Sequence, residues 1–487
     1  MLFPTLEFAI FFAAVFVVSW ALRGYQEPRK AILLAASYFF YGYWDWRFLA
    51  LLAGSSAFNY LAGLLLAADF DDRRKRGIAA LAIVGNLAVL GIFKYYNFFI
   101  NSLTDVLLMI GAQRDMPFLD IILPIGISFF TFQGISYIVD VYRGHVKPVR
   151  SPLDLFLYIS FFPQLVAGPI VRASHFLPQL TKPPELTRTS VTYGFLLILA
   201  GVFKKTVVAH YIAVDLVDPA FANPSAISSF DLFAAHYAYA IQVYCDFSAY
   251  SDIAIGAAAL LGFRFRKNFD RPFSATSLAQ LWQRWHISLS TWLRDYLYRA
   301  LRGAKRDAGW RLYRNVFLTM LLGGLWHGAA WTFVIWGAIH GGALAIERFA
   351  KGRYQEWRES RAAAREVAAA AGGASAAVAA TAGWLITFHI FTLAAIFFRS
   401  PELDTATRYF VKMFSFTGGA ELFTPLLLLL TAGSVAVQFT SGTGLERTAE
   451  RMRSLPVPAL GLILGAGLLA IDFIGPDGIA PFVYFQF

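Results

Sequence analysis

Apolar runs, several of them long enough to cross a bilayer, recur from one end of the chain to the other, and short clusters of arginine and lysine separate them. They occupy residues 6–22, 31–43, 48–67, 78–93, 121–141, 191–214, 316–326, 331–346, 376–398, 423–437 and 459–474. A hydrocarbon core about 30 Å thick needs about 20 residues of helix. Within it every backbone polar group must find its partner inside the protein, which leaves helices or a closed barrel. Neither βαβ alternation nor turn-rich strands are visible, so the chain is expected to be an all-α polytopic integral membrane protein, a bundle of roughly 10–12 spans. The composition, 57% hydrophobic and 15% charged, agrees, because soluble domains run about 45–50% apolar and about 25% charged.

In this setting a net charge of +11 reports topology, not nucleic acid. The basic clusters at 23–30, 73–76 and 143–150 follow spans, and placing them in the cytoplasm puts the N-terminus outside. The basic linkers at 351–365 and 446–453 then also lie inside. The first run starts with no positive leader and no small-residue cleavage site, so it reads as a retained helix. Cys245 is the only cysteine, which excludes disulfides and cysteine-based metal sites within one chain. One membrane domain is expected over 1–487: N-terminal spans to 150, a core over 151–350, a charged alanine-rich linker over 351–375 and C-terminal spans over 376–487.

Several stretches break the pattern of clean spans. Pro163, Gly168 and Pro169 interrupt the apolar residues 153–170, which suits a re-entrant helix lining a cavity. Residues 230–263 are too long for one crossing and carry Asp246 and Asp252, with Ser248, Tyr250 and Ser251 between them. Acids among apolar residues need an aqueous or paired setting. Over 264–314 the composition turns charged and aromatic. Trp282, Trp285, Leu289, Trp292 and Tyr296 recur at helical spacing, with Arg284 and Arg294 off that stripe, which predicts an amphipathic helix in the membrane interface. Arg264, Arg266, Lys267 and Arg271 are candidates to hold an anionic donor, with Arg284 and Arg294 meeting headgroups or other anions.

Inside the apolar residues 316–346 sits His327, and His340 follows thirteen residues later. Ionisable groups are held at lipid depth only at a cost of a few kcal/mol, so they are functional candidates, although a histidine bridging two helices is the plainer account. An imidazole among apolar residues favours its neutral form, the one able to accept a proton. His327 is thus a candidate general base. On one straight helix the two histidines would sit about 20 Å apart on different faces. Only a bend near Gly328 would bring them to one chamber. The remaining histidines, His145, His175, His210, His236, His286 and His389, read as loop, headgroup or structural contacts.

Long motifs add a resemblance. Residues 123–133 (LPIGISFFTFQ), 139–143 (VDVYR), 167–170 (AGPI), 246–252 (DFSAYSD), 285–298 (WHISLSTWLRDYLY) and 324–328 (GLWHG) together resemble the membrane-bound O-acyltransferase family, nearest its alginate O-acetylation branch. The similarity runs from the N-terminus to the closing FVYFQF at 482–487. Ala249 and the stretch 299–302 depart from that branch, which leaves the polymer open. The resemblance implies an O-acetyltransferase of the bacterial inner membrane with His327 catalytic and His340 a second site residue. The motif residues Gln133, Asp246, Ser248, Tyr250, Asp252, Trp285 and Trp326 are then expected to line the chamber. It further implies cytoplasmic acetyl-CoA as donor, with no permanently bound cofactor and no metal. The expected partners are membrane lipids, a periplasmic SGNH-type acetyltransferase or other polysaccharide-modification protein, and an exopolysaccharide acceptor. Three rivals stand beside it: D-alanyl or other acyl transfer from a carrier-protein thioester, a polysaccharide or lipid transporter, and a scaffold without chemistry.

Overall fold

The computed structural model of the chain describes residues 1, 3–112, 116–166, 168–303, 309–362, 372–476, 478 and 482–483. Ala167, linker residues 363–371 and the closing 484–487 lie outside the described residues. Among those described every regular element is helical. In chain order the first helices are α1 Leu6–Ala21, α2 Gln26–Asp45, α3 Leu49–Ala67, α4 Asp72–Leu90, α5 Tyr96–Met109, α6 Ile127–Tyr142, α7 Pro152–Ser160, α8 Phe162–Leu165, α9 Ala173–Leu180 and α10 Arg188–Phe203. There follow α11 Ser229–Leu260, α12 Leu278–Arg284, α13 Ile287–Trp292, α14 Trp310–His327, α15 Trp331–Ala362, α16 Gly372–Arg399, α17 Leu403–Met413, α18 Pro425–Val437, α19 Gly444–Met452 and α20 Val457–Ile474.

Among the described residues, five helical stretches are long and apolar enough to cross a membrane: Gln26–Ala67, Asp72–Met109, Arg188–Ala222, Ala377–Arg399 and Val457–Ile474. Leu6–Ala21 and Pro425–Val437 are shorter apolar helices. Helices α6, α11, α14 and α15 fall outside this set. Helix α6 has 16 residues, shorter than these, and it buries Ser128, Thr131, Gln133, Ser136 and Asp140 within the protein.

The chain divides into two compact units. The first holds 1–205, 249–267 and 445–474. Its first helix starts where Thr5, in extended backbone, accepts the Phe8 N–H at 3.3 Å, which satisfies one of the donors a helix N-terminus leaves open. The interrupted segment lies deep in this unit, where Phe161 (ψ 113°) separates α7 from α8. The Phe162 N–H freed by that break donates to Ser37 Oγ at 3.1 Å. The Phe162 ring meets Phe11 at 5.2 Å and Phe40 at 5.6 Å. Non-helical backbone at membrane depth is thereby buried in protein, as the expectation of a broken helix requires. The Trp20 indole N–H donates to the Leu260 carbonyl at 3.0 Å. Trp20→Phe keeps the ring and removes this one bond, so thermal unfolding in detergent should register a loss of about 0.5–1.5 kcal/mol.

The second unit holds 206–248, 268–444 and 475–487. Its organising contact at one end is Asp231, fully buried, whose carboxylate accepts the backbone N–H groups of Glu421, Leu422 and Phe423. This ties the loop before α18 to the start of α11. An aromatic core of Phe273, Trp285 and Phe391 lies further in, with ring centroids 4.8–5.9 Å apart.

Three expectations change here. The apolar stretch around Asp246 and Asp252 is one uninterrupted helix, the 32-residue α11, about 48 Å long at helical rise. Its length reflects burial in protein, since most of its side chains are inaccessible. The expected interfacial helix is not continuous. His286 adopts a left-handed backbone (φ 42°) and separates α12 from α13, and residues Leu293–Tyr298 are π-helical. Trp285, Leu289, Trp292 and Tyr296 are buried and Gln283 and Arg294 exposed, so the stripe is real but Trp285 and Leu289 pack into protein, not headgroups. His286 likewise is fully buried, its Nδ1 bonded to Asn268 Oδ1 at 3.2 Å, and makes no headgroup contact. In the described part of the linker, α15 simply continues as helix to Ala362.

Candidate active site

Helix α14 stops at His327, and α15 starts four residues later at Trp331. Gly328 between them is extended (φ −153°, ψ 149°), and the reason for glycine is space: a Cβ there would lie 2.0 Å from the Phe333 ring. The two helices then run against each other at backbone contact. A Cβ on Gly324 would meet the Phe333 carbonyl at 2.3 Å, and one on Gly337 the Met320 carbonyl at 2.6 Å. Small residues that let backbones approach are the usual device for packing helices where lipid supplies no hydrophobic drive.

This hairpin puts both histidines against the same indole. The His327 ring lies 5.1 Å from Trp336 and the His340 ring 4.7 Å from it, both edge-on. His327 is 5% exposed and also faces Trp326 at 5.0 Å and Phe398 at 5.2 Å. His340 is fully buried, with Trp282 at 5.2 Å and Phe391 at 5.9 Å. Neither ring nitrogen of His340 has a hydrogen-bond partner within the protein, nor has the Trp282 indole N–H. Buried polar atoms left in that state cost about 1–3 kcal/mol each. A cluster of them inside an aromatic wall is binding capacity for something small and polar.

Of the expected chamber residues, Trp326 touches His327 directly and Trp285 adjoins the Phe391 ring that faces His340. Asp246 and Ser248 belong to the same unit, but Asp246 is engaged elsewhere: its Oδ2 accepts the Val483 N–H at 2.7 Å. Gln133, Tyr250 and Asp252 fall in the other unit. There Gln133 is fully buried with both amide atoms lacking a partner in the protein. Tyr250 carries the Lys205 ammonium 5.8 Å above its ring, and Asp252 pairs with Lys204 at 2.7 Å.

The six basic residues divide between the units, Arg264, Arg266 and Lys267 in the first and Arg271, Arg284 and Arg294 in the second. Four are already engaged. Lys267 pairs with Glu446, Arg271 donates to Asp270 and to the Thr440 carbonyl, Arg284 donates to Ser274 Oγ, and Arg294 pairs with Asp295. Arg264 and Arg266 are exposed. Beside them His175 Nε2 lies 2.8 Å from the Arg264 carbonyl. Burial lowers the pKa of that imidazole below its ordinary value, against the pull of the hydrogen bond.

Sequence reasoning missed three walls of the site: Trp336, Phe391 and Phe398. The spacing of seven residues between the two phenylalanines puts them on one face of α16, a signal present in the sequence. Which face met the histidines was not.

A family model, MBOAT, membrane-bound O-acyltransferase family, matches residues 146–386. The probable alginate O-acetylase AlgI of Pseudomonas aeruginosa is 41% identical over 419 residues, 85% of this chain and 75% of that protein. That of Pseudomonas putida is 36% identical over 520 residues, spanning all of both chains. The peptidoglycan O-acetyltransferase of Helicobacter pylori is 33% identical over 448 residues, 86% of this chain and 80% of its own. With this identity, these spans and the aromatic-walled hairpin between α14 and α15, the chain belongs to the membrane-bound O-acyltransferase family, close to its alginate O-acetylase branch, as a multi-pass acyltransferase of the bacterial inner membrane.

Proposed function

We propose that this acyltransferase takes acetyl groups from cytoplasmic acetyl-CoA and passes them to hydroxyls of an extracytoplasmic, alginate-like polysaccharide, in concert with a periplasmic acetyltransferase partner. The observation that carries the reading is the break at Gly328, which gathers His327 and His340 on Trp336 inside an aromatic wall. A thioester has a good leaving group, so the demanding step is removing the proton of the attacking hydroxyl. His327 accepts that proton as general base, a contribution of about 10²–10⁴ in rate. His340, with both nitrogens lacking partners in the protein, supplies a hydrogen bond to the developing oxyanion. Exposed Arg264 and Arg266 meet the CoA phosphates at the cytoplasmic face. The names of the relatives, alginate O-acetylase and peptidoglycan O-acetyltransferase, support acetyl transfer to a glycan and leave the glycan to experiment.

Purified protein in liposomes, given acetyl-CoA inside and either alginate or peptidoglycan fragments outside, should consume the thioester and acetylate the alginate in preference, with the periplasmic partner raising the yield. Consumption of a D-alanyl carrier thioester in place of acetyl-CoA, or solute movement with no thioester consumed, would overturn the proposal. A second check uses His340→Gln, which keeps hydrogen-bonding capacity but changes its geometry. It should cost about 10²–10³ in turnover, the scale of one lost oxyanion donor, with the KM for acetyl-CoA little changed.

A further inference from the structure

A cavity of about 440 Å³ opens where α1 ends, lined by Trp20, Arg23, Gly24, Pro183, Pro184 and Leu186. Its size falls within the range of about 300–1,000 Å³ typical of small-molecule sites. Acyl transfer at His327 uses none of these residues, and all of them belong to the first unit. The walls are fixed from within the protein. The Trp20 indole N–H is committed to the Leu260 carbonyl. Gly262 (φ 83°) turns the chain beside it, where a Cβ would lie 2.7 Å from Pro184 Cβ and 3.7 Å from the Trp20 ring. Both walls therefore close on the same glycine.

Two cations stand at this corner without an anion. Arg23 is exposed, and among the described residues its guanidinium has no ion-pair or hydrogen-bond partner. Arg29 is buried, and its guanidinium meets Ser19 Oγ at 3.1 Å, the Leu261 carbonyl and the Phe263 ring at 5.3 Å. Ser19 and Leu261 adjoin Trp20 and Gly262 in the chain. The carboxylates of Glu27 and Asp154 both pair with Lys30 instead, at 2.8 Å each. Glu185 is exposed and, among the described residues, no acidic side chain lines the cavity. Buried charges are ordinarily paired, so the corner favours an anion.

The setting decides which kind. With the basic residues 23–30 in the cytoplasm, the cavity stands at the level of the inner-leaflet headgroups, where tryptophan is favoured. Leu6, Ile10 and Val17 are exposed on one face of α1, an apolar track for acyl chains leading toward the cavity. A soluble anion has no use for that track.

We propose that the cavity receives the headgroup of an anionic phospholipid of the inner leaflet, with Arg23 as the contacting cation and Arg29 adding charge from the buried side. The bound headgroup ties the turn between α1 and α2 to residues 183–186 and so stabilises the first unit.

The test uses the full chain in detergent, stripped of lipid and titrated with phosphatidylglycerol or phosphatidylcholine while thermal unfolding is followed. Phosphatidylglycerol should raise the midpoint and phosphatidylcholine should not. Arg23→Gln should raise the phosphatidylglycerol concentration needed about 5-fold. In detergent alone it should unfold like the wild type, because its side chain has no partner to lose. Gly24 has nothing within 4 Å of where a Cβ would stand, so Gly24→Phe fills the cavity while keeping both cations, and should weaken binding at least as much. Arg73→Gln, at an exposed arginine of another basic cluster, should change nothing. No rise with phosphatidylglycerol, an equal response to the two lipids, an equal loss in Arg73→Gln or unchanged binding in Gly24→Phe overturns the site. Sodium phosphate or coenzyme A raising the midpoint with the same dependence on Arg23 overturns the lipid as its occupant.

Discussion

His327→Ala should lower acetyl transfer by about 10²–10⁴-fold while leaving the protein folded. Removing the imidazole takes away the group assigned to take the proton, which stands among Trp326, Trp336 and Phe398. It leaves the packing of Trp336 on Phe398 largely in place, so the melting temperature in detergent should move far less than the rate. Acetyl-CoA consumption by protein in liposomes measures the first, and calorimetry or tryptophan fluorescence the second. Turnover at the wild-type level would remove His327 from the chemistry. A collapse of folding together with the rate would reduce it to a structural histidine.

The second large effect is expected at Gly324. A Cβ there would lie 2.3 Å from the Phe333 carbonyl oxygen and 2.9 Å from the Gly337 Cα, so what it meets is backbone, which cannot swing aside. Gly324→Val must push α14 and α15 apart, at about 3 kcal/mol. His327 and His340 sit on those two helices, so activity should fall with stability. Gly342, also on α15, has open space where a Cβ would stand, with nothing within 4 Å. Gly342→Ala should therefore be neutral or stabilise by up to about 1 kcal/mol. Equal behaviour of the two variants in unfolding experiments would contradict the tight hairpin.

Several site features were legible before any coordinates. The lone imidazoles within 316–346 stood out because an ionisable group in an apolar run is costly, and the need for a bend at Gly328 followed from helical geometry alone. The stripe from Trp282 to Tyr296 also showed its buried face. Its break at His286 (φ 42°) was hidden, because a single left-handed residue leaves the apolar spacing almost undisturbed. The basic residues over 264–294 misled in another way. Composition counts charges, yet Arg271, Arg284, Arg294 and Lys267 have partners inside their own units, and those partners come from chain positions as distant as Thr440 and Glu446.

By itself the sequence determined the class of fold, the membrane environment, the family and the histidines worth testing. Each of these follows from local patterns: run length, residue spacing, and the cost of a polar group in hydrocarbon. Tertiary structure decided what surrounds those histidines. Trp282, Phe391 and Phe398 reach the site from other helices, α12 and α16, far from the histidines in the chain. Such neighbours depend on which helix faces meet, and helix faces meet according to backbone approach at residues such as Gly324 and Gly337, a geometric outcome that no window of consecutive residues encodes.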